Sequence, residues 1–136
     1  MSDTAGQTTF SHNPVGWFEI YVDDMARARA FYESLLGMQL SVLENPGQPS
    51  GMEMWAFPMN QGAMGITGAL VKMPGLEAGG HGVIVYFICA DCAVEAAKAA
   101  KCGGKLVKPK MSIGQYGHIA LVMDTEGNTI GLHSMQ

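Results

Sequence analysis

VGWFEIYVDDMARARAFYESLLG, residues 15–37, decides the fold, because most of it returns once as GVIVYFICADCAVEAAKAAKCGG, residues 82–104. Aligned at Asp24 and Asp91, the acidic residues that close the two apolar runs, both copies pass from a strand through an alanine-containing helix to a glycine. Repetition of this kind implies two modules of one design. Two modules side by side imply a site between them.

The local chemistry of each copy agrees. Trp17 to Val22 is rich in aromatic and β-branched residues, and alternate residues of such a strand go to opposite faces. Asp23 or Asp24 can then accept from the free amides of the next helix. In that helix Ala28, Phe31, Tyr32, Leu35 and Leu36 fall at the spacing of a buried face, and Gly37 is a natural stop. In the second copy Val83 to Cys89 is the strand, Asp91 the cap and Val94, Ala97 and Lys101 one helix face, with the stop at Gly103 and Gly104.

At 136 residues, with 48% hydrophobic and only 15% charged residues, the chain has the material for one ordinary core and is not of disordered type. No apolar run approaches the roughly 20 residues of a membrane helix. A net charge of −4 leaves no electrostatic footprint for nucleic acid. The one basic group, Lys105, Lys108 and Lys110, reads as a solvated strand edge. Residues 1–13 read as a flexible lead-in without the pattern of a signal peptide. Three cysteines fit a reducing compartment, so the expected location is cytoplasmic.

Along the rest of the chain, residues 39–44, 52–59 and 63–71 read as strands, which gives the first module, 14–71, the order βαβββ. A linker, 72–80 (KMPGLEAGG), leads to the second module, 81–136. There 105–109, 116–123 and 129–133 are the further strands, and DTEGN, 124–128, is a hairpin turn. The expected architecture is α+β: a single domain, 14–136, of two βαβββ modules whose sheets join into a cup-like eight-stranded surface.

This arrangement resembles the vicinal oxygen chelate superfamily, which includes glyoxalases, ring-cleaving dioxygenases and bleomycin-resistance proteins. The resemblance is carried by VDDMARARAFYESLLG, YFICADCAVEAAKAAKCGGKLVKP and the closing HIALVMDTEGNTIGL. VGWFEIYVDD with the glycine-containing fourth strand is similar to the branch of predicted lactoylglutathione-lyase-related proteins. The resemblance would put the metal ligands of such enzymes at Trp17, Ile84, Gly131 and within 63–69, where no side chain suits a divalent ion. It therefore implies a member with no metal and no cofactor. It also implies a homodimer, as many relatives pair.

Four histidines remain to be placed. His12 and His81 read as surface residues of the lead-in and linker. His118 and His133 lie on the last two strands, where an antiparallel hairpin would bring them near each other or to a shared neighbour as pocket-rim or structural groups. Counting by twos, Trp17, Glu19 and Tyr21 face the cup, with Ile84, Tyr86 and Ile88 opposite. Glu53, Trp55 and Phe57 are candidates for the same wall. Cys89-Ala-Asp-Cys92 resembles a redox pair in spacing only, because Asp91 opposes thiolate formation. The glycines at 62, 65 and 68 do not stand where a nucleotide fingerprint requires them.

The expectation is an aromatic pocket with few polar groups, suited to a small organic molecule. Its ligand-binding residues are Trp17, Tyr21, Trp55, Tyr86, His118 and His133. Glu19, a carboxylate in an apolar strand, must be bonded or protonated there. It is the candidate catalytic residue of a second reading, a lyase or isomerase in which it acts as acid or base. A third reading is a drug-binding resistance or sequestration protein. Enzymatic activity stays open at this point.

Overall fold

The computed structural model describes residues 12–44, 47–80 and 82–136. One path is traced twice. The first pass runs β1 (Val15–Tyr21), α1 (Met25–Leu36), β2 (Ser41–Val42), β3 (Glu53–Ala56) and β4 (Gly68–Lys72). The second runs β5 (Val83–Ile88), α2 (Cys92–Lys98), β6 (Lys105–Ser112), β7 (His118–Met123) and β8 (Thr129–Ser134), with a 3-10 turn at Gly114–Tyr116. None of the described helices is long and apolar enough to cross a membrane.

Asp24 starts α1 by accepting the Arg27 amide at 3.0 Å, and Asp91 starts α2 by accepting the Ala93 amide at 3.0 Å. Each satisfies a donor that the first turn of a helix leaves unpaired. The strands join in one sheet ordered β2-β3-β4-β1-β5-β8-β7-β6, a sequence that is the same module read from either edge. The two opening strands, β1 and β5, meet antiparallel at the centre, and each runs parallel to the last strand of its own module. Gly68 is where β1 and β4 press together: a Cβ there would overlap the Phe18 carbonyl and ring.

Both helices cover one face of the sheet. Under α1 lie Val22, Met25, Leu40, Phe57 and Leu70, and under α2 lie Cys92, Ala96, Ala120, Val122 and Leu132. A third cluster occupies the other face, away from the helices: Tyr21, Met54, Ala69, Val71, Ile84 and Tyr86.

Both helices are rotated from their expected faces. Phe31, Leu35 and Leu36 stand 58%, 63% and 49% exposed, while Met25, Ala28 and Tyr32 pack on the sheet. The cause lies beside them. Arg29 sets its guanidinium 3.5 Å from the Trp55 ring centroid, and Glu33 accepts the Leu40 amide at 3.0 Å, so the inner side of α1 is held by polar anchors as well as apolar ones. In α2 the buried residues are Cys92 and Ala96, and Val94 is outside. Small side chains let that helix lie close to the strands.

Candidate functional site

Alternation along β1 sends Phe18 and Ile20 under α1 and leaves Trp17, Glu19 and Tyr21 on the face away from the helices. The antiparallel register sets Trp17 opposite Tyr86 and Glu19 opposite Ile84. Four side chains therefore converge on the seam between the modules. Tyr21 and Tyr86 both donate their hydroxyls to Glu19 Oε1, at 3.0 and 3.2 Å, and the Trp17 indole donates to Oε2 at 3.2 Å. Glu19 and the two tyrosines are buried, at 7%, 7% and 5% exposed, and Trp17 is half-buried. Met54, Ala69 and Val71 wall the group from the first module, and Ile119 and Leu121 from the second.

Burial pushes the Glu19 carboxyl above its ordinary value, and the three donors pull the other way without reversing it. The hydroxyls of Tyr21 and Tyr86 are also driven upward, first by burial and then by the charge of Glu19. Both remain protonated donors in neutral solution. Such an arrangement can hold a proton or a charge on Glu19 in a place from which water is largely excluded.

Trp55 is not part of it. β3 turns Met54 to the face of Glu19, whereas Trp55 lies under α1 beneath Arg29, with its indole bonded to Glu53 at 3.0 Å, and Phe57 is packed in the same layer. Both alternating sets of β3 are apolar, so parity alone could not choose between them. His118 is also on the other face: it pairs with Ser134 while Ile119 pairs with His133, and successive residues of a strand point opposite ways. Its Nδ1 is buried with no hydrogen-bond partner among the described residues. His133 shares the face of Gly131, but its Nε2 lies 2.6 Å from the Tyr116 carbonyl oxygen and not at Glu19. The two histidines are thus separated by the sheet. His12 lies beside Asn13, with Nδ1 2.7 Å from its carbonyl oxygen, and His81 falls outside the described residues, as does 1–11 of the lead-in.

The residues at the metal positions implied by the family resemblance do not fit a divalent ion. Trp17 and Ile84 offer no ligand atom, and a Cβ at Gly131 would overlap the Tyr86 ring. Among the described residues, no group of three His, Cys, Asp or Glu side chains converges as a metal site requires. Cys89 and Cys92 are free thiols. Burial, with Glu95 beside it, pushes the Cys89 thiol up to about 12, which is the opposite of a reactive redox cysteine.

One partner of Glu19, Trp17, was legible only in part. The alternation of Trp17 with Glu19 was visible, yet nothing in it signalled that the indole would be a donor to the carboxylate. Ile119 and Leu121 could have been found from the same period-two pattern in HIALVM.

Residues 15–132 match the family model described as "Glyoxalase/Bleomycin resistance protein/Dioxygenase superfamily". CFP32 of Mycobacterium tuberculosis and of Mycobacterium bovis, provisionally named a glyoxylase, is 30% identical over 112 residues, 82% of this chain and 40% of that protein. The chain therefore spans about 40% of the length of the curated relatives it matches. Among solved structures, a variant of Streptomyces coelicolor methylmalonyl-CoA epimerase bound to 2-nitronate-propionyl-CoA superposes with a TM-score of 0.62 at 19% identity, covering 91% of this chain and 98% of the epimerase. The Mycobacterium tuberculosis methylmalonyl-CoA epimerase gives 0.62 at 17%, covering 90% and 88%. A hypothetical protein of Bacillus halodurans, BH1468, gives 0.66 at 12%, covering 90% and 94%. At these identities the likeness concerns the fold alone.

Proposed function

This chain belongs to the glyoxalase/bleomycin resistance protein/dioxygenase superfamily, and on that premise we propose that it binds a small organic molecule at the seam between its modules, without the metal centre of metal-dependent members. One observation carries the reading: three side-chain donors from two modules converge on a single buried carboxylate, Glu19, inside an aromatic and aliphatic wall. Folding alone gains little from a buried carboxylate, which is costly to desolvate. A binding site gives it a use.

A second reading follows from the raised carboxyl of Glu19. A lyase or isomerase could use it as the group that takes and returns a proton, with Tyr21 and Tyr86 holding it in place. The epimerases that share the fold make this class of chemistry worth assaying. The reading includes a homodimer, supported by the exposed apolar side chains of Phe31, Leu35 and Leu36 on α1.

The test has two parts. Metal analysis and melting with added Ni²⁺, Zn²⁺, Mn²⁺ or Fe²⁺ are expected to show no stoichiometric metal and no rise; a saturable rise would overturn the metal-free reading. A small-molecule library is then screened against a Trp55→Phe variant, in which Trp17 is the sole indole. Binders are expected to change Trp17 emission. A library that yields only binders indifferent to Trp17 and Glu19 substitution would place binding elsewhere. For the second reading, Glu19→Gln is expected to keep binding and lose turnover.

A further inference from the structure

Granting the small-molecule site of the preceding section, on which this inference rests, we propose that its ligand is an organic ammonium cation held against Glu19 Oε2. The first ground is charge. Every hydrogen-bond partner found for Glu19 is neutral, and the ion pairs among the described residues, Arg29–Glu33 and Lys110–Asp91, lie elsewhere. Lys105 and Lys108 share the face of Met123 and Leu121, but they are exposed on β6, at the margin of the sheet and three strands from β5. Among the described residues, no basic side chain forms a hydrogen bond or ion pair with the carboxylate.

The second ground is acceptor geometry. An ionised carboxylate has about four acceptor directions. Two hydroxyls fill Oε1, and a single indole N–H occupies Oε2, so one direction on Oε2 remains. An indole N–H can only donate, which keeps that oxygen an acceptor. An incoming N–H of a cation completes the set with a charge-assisted bond. A ligand anion in the same place would face the carboxylate and three donors already engaged.

The third ground is exposure. Trp17 is half-buried while Glu19, Tyr21 and Tyr86 are covered, so the indole bonded to Oε2 is the least shielded part of the group.

The experiment is calorimetric titration of the whole chain and of Glu19→Gln with four probes that share a benzyl group: benzylammonium, benzyltrimethylammonium, benzyl alcohol and benzoate. Benzylammonium is expected to bind about tenfold or more tighter than benzyl alcohol, with benzoate weakest. Benzyltrimethylammonium, which keeps the charge and lacks the N–H, is expected between benzylammonium and benzyl alcohol. Glu19→Gln is expected to level the series. Should that variant fail to fold, the order among the probes on the unaltered chain decides, together with benzylammonium affinity that rises with pH as Glu19 loses its proton. Equal or tighter binding of benzyl alcohol or benzoate overturns the cation while leaving a small-molecule site. Binding of none of the four also overturns it, and the small-molecule reading is then judged separately by the Trp17 emission screen.

Discussion

Tyr86 and Gly131 pair across β5 and β8, and the tyrosine ring fills the space that a side chain at 131 would need. The same ring carries the hydroxyl that reaches Glu19. Gly131→Ala should therefore destabilise by about 1–3 kcal/mol, the usual cost of overpacking, and should shift the Tyr86 ring. Chemical denaturation with tyrosine ring NMR measures both. A variant as stable as the parent, with Tyr86 resonances unmoved, would mean the ring has room to spare.

Glu19→Gln should change the pH dependence of stability in a defined direction. The folded carboxyl titrates above its ordinary value of 4.5 because burial disfavours its charge. Its contribution to stability is complete below the unfolded value and is lost as pH rises through the folded value. The parent should lose stability relative to Glu19→Gln from about pH 4.5 upward, until the raised pKa is passed. Paired urea melts across that range test it, because titrations elsewhere cancel between the two proteins. A difference that is flat with pH would contradict the burial of this group.

Tyr21→Phe and Tyr86→Phe each remove one donor from Oε1, and such a bond contributes about 0.5–1.5 kcal/mol, rising to about 1.5–3 kcal/mol where the acceptor is ionised. Both hydroxyls share one acceptor, so the losses should not add. A double-mutant cycle should give a coupling of about 0.5–3 kcal/mol. Strict additivity would show that the two bonds do not form on one oxygen.

The two sides of α1 should respond differently to truncation. Met25, 5% exposed beneath the helix, should cost about 2–5 kcal/mol as Met25→Ala. Leu35, 63% exposed, should stay within about 0.5 kcal/mol as Leu35→Ala in the monomer. Melts at low protein concentration distinguish these outcomes. A large loss at Leu35 with none at Met25 would restore the helix face read from the sequence.

The duplicated β-α opening, the caps at Asp24 and Asp91 and the inward set Trp17, Glu19, Tyr21, Ile84 and Tyr86 were all legible in the chain. Each depended on a period or a polar residue with one sensible place. The misread positions share a physical cause. Period two says which residues of β3 share a face, but Met52 and Met54 are as apolar as Trp55 and Phe57, so either face could have been the inner one. In α1 two adjacent stripes are apolar, and the choice between them was made by Arg29 on Trp55 and Glu33 on the Leu40 amide. Such contacts join residues far apart in sequence and leave no local trace. His118 and His133 were judged by the nearness of their strands, when the pairing of His118 with Ser134 separates them by one step of the pleat.

The margins of the sheet are β2, two residues long, and β6, which carries Pro109 and register shifts on both sides of Lys108. Neither is a good template for a further strand: one is too short to nucleate pairing, and the other is interrupted by a residue without an amide hydrogen and guarded by like charges. The described strands thus end in poor pairing edges at both margins. Amyloid-like stacking and strand exchange are disfavoured at those edges, which leaves the faces of the sheet and its helices as the better surfaces for association.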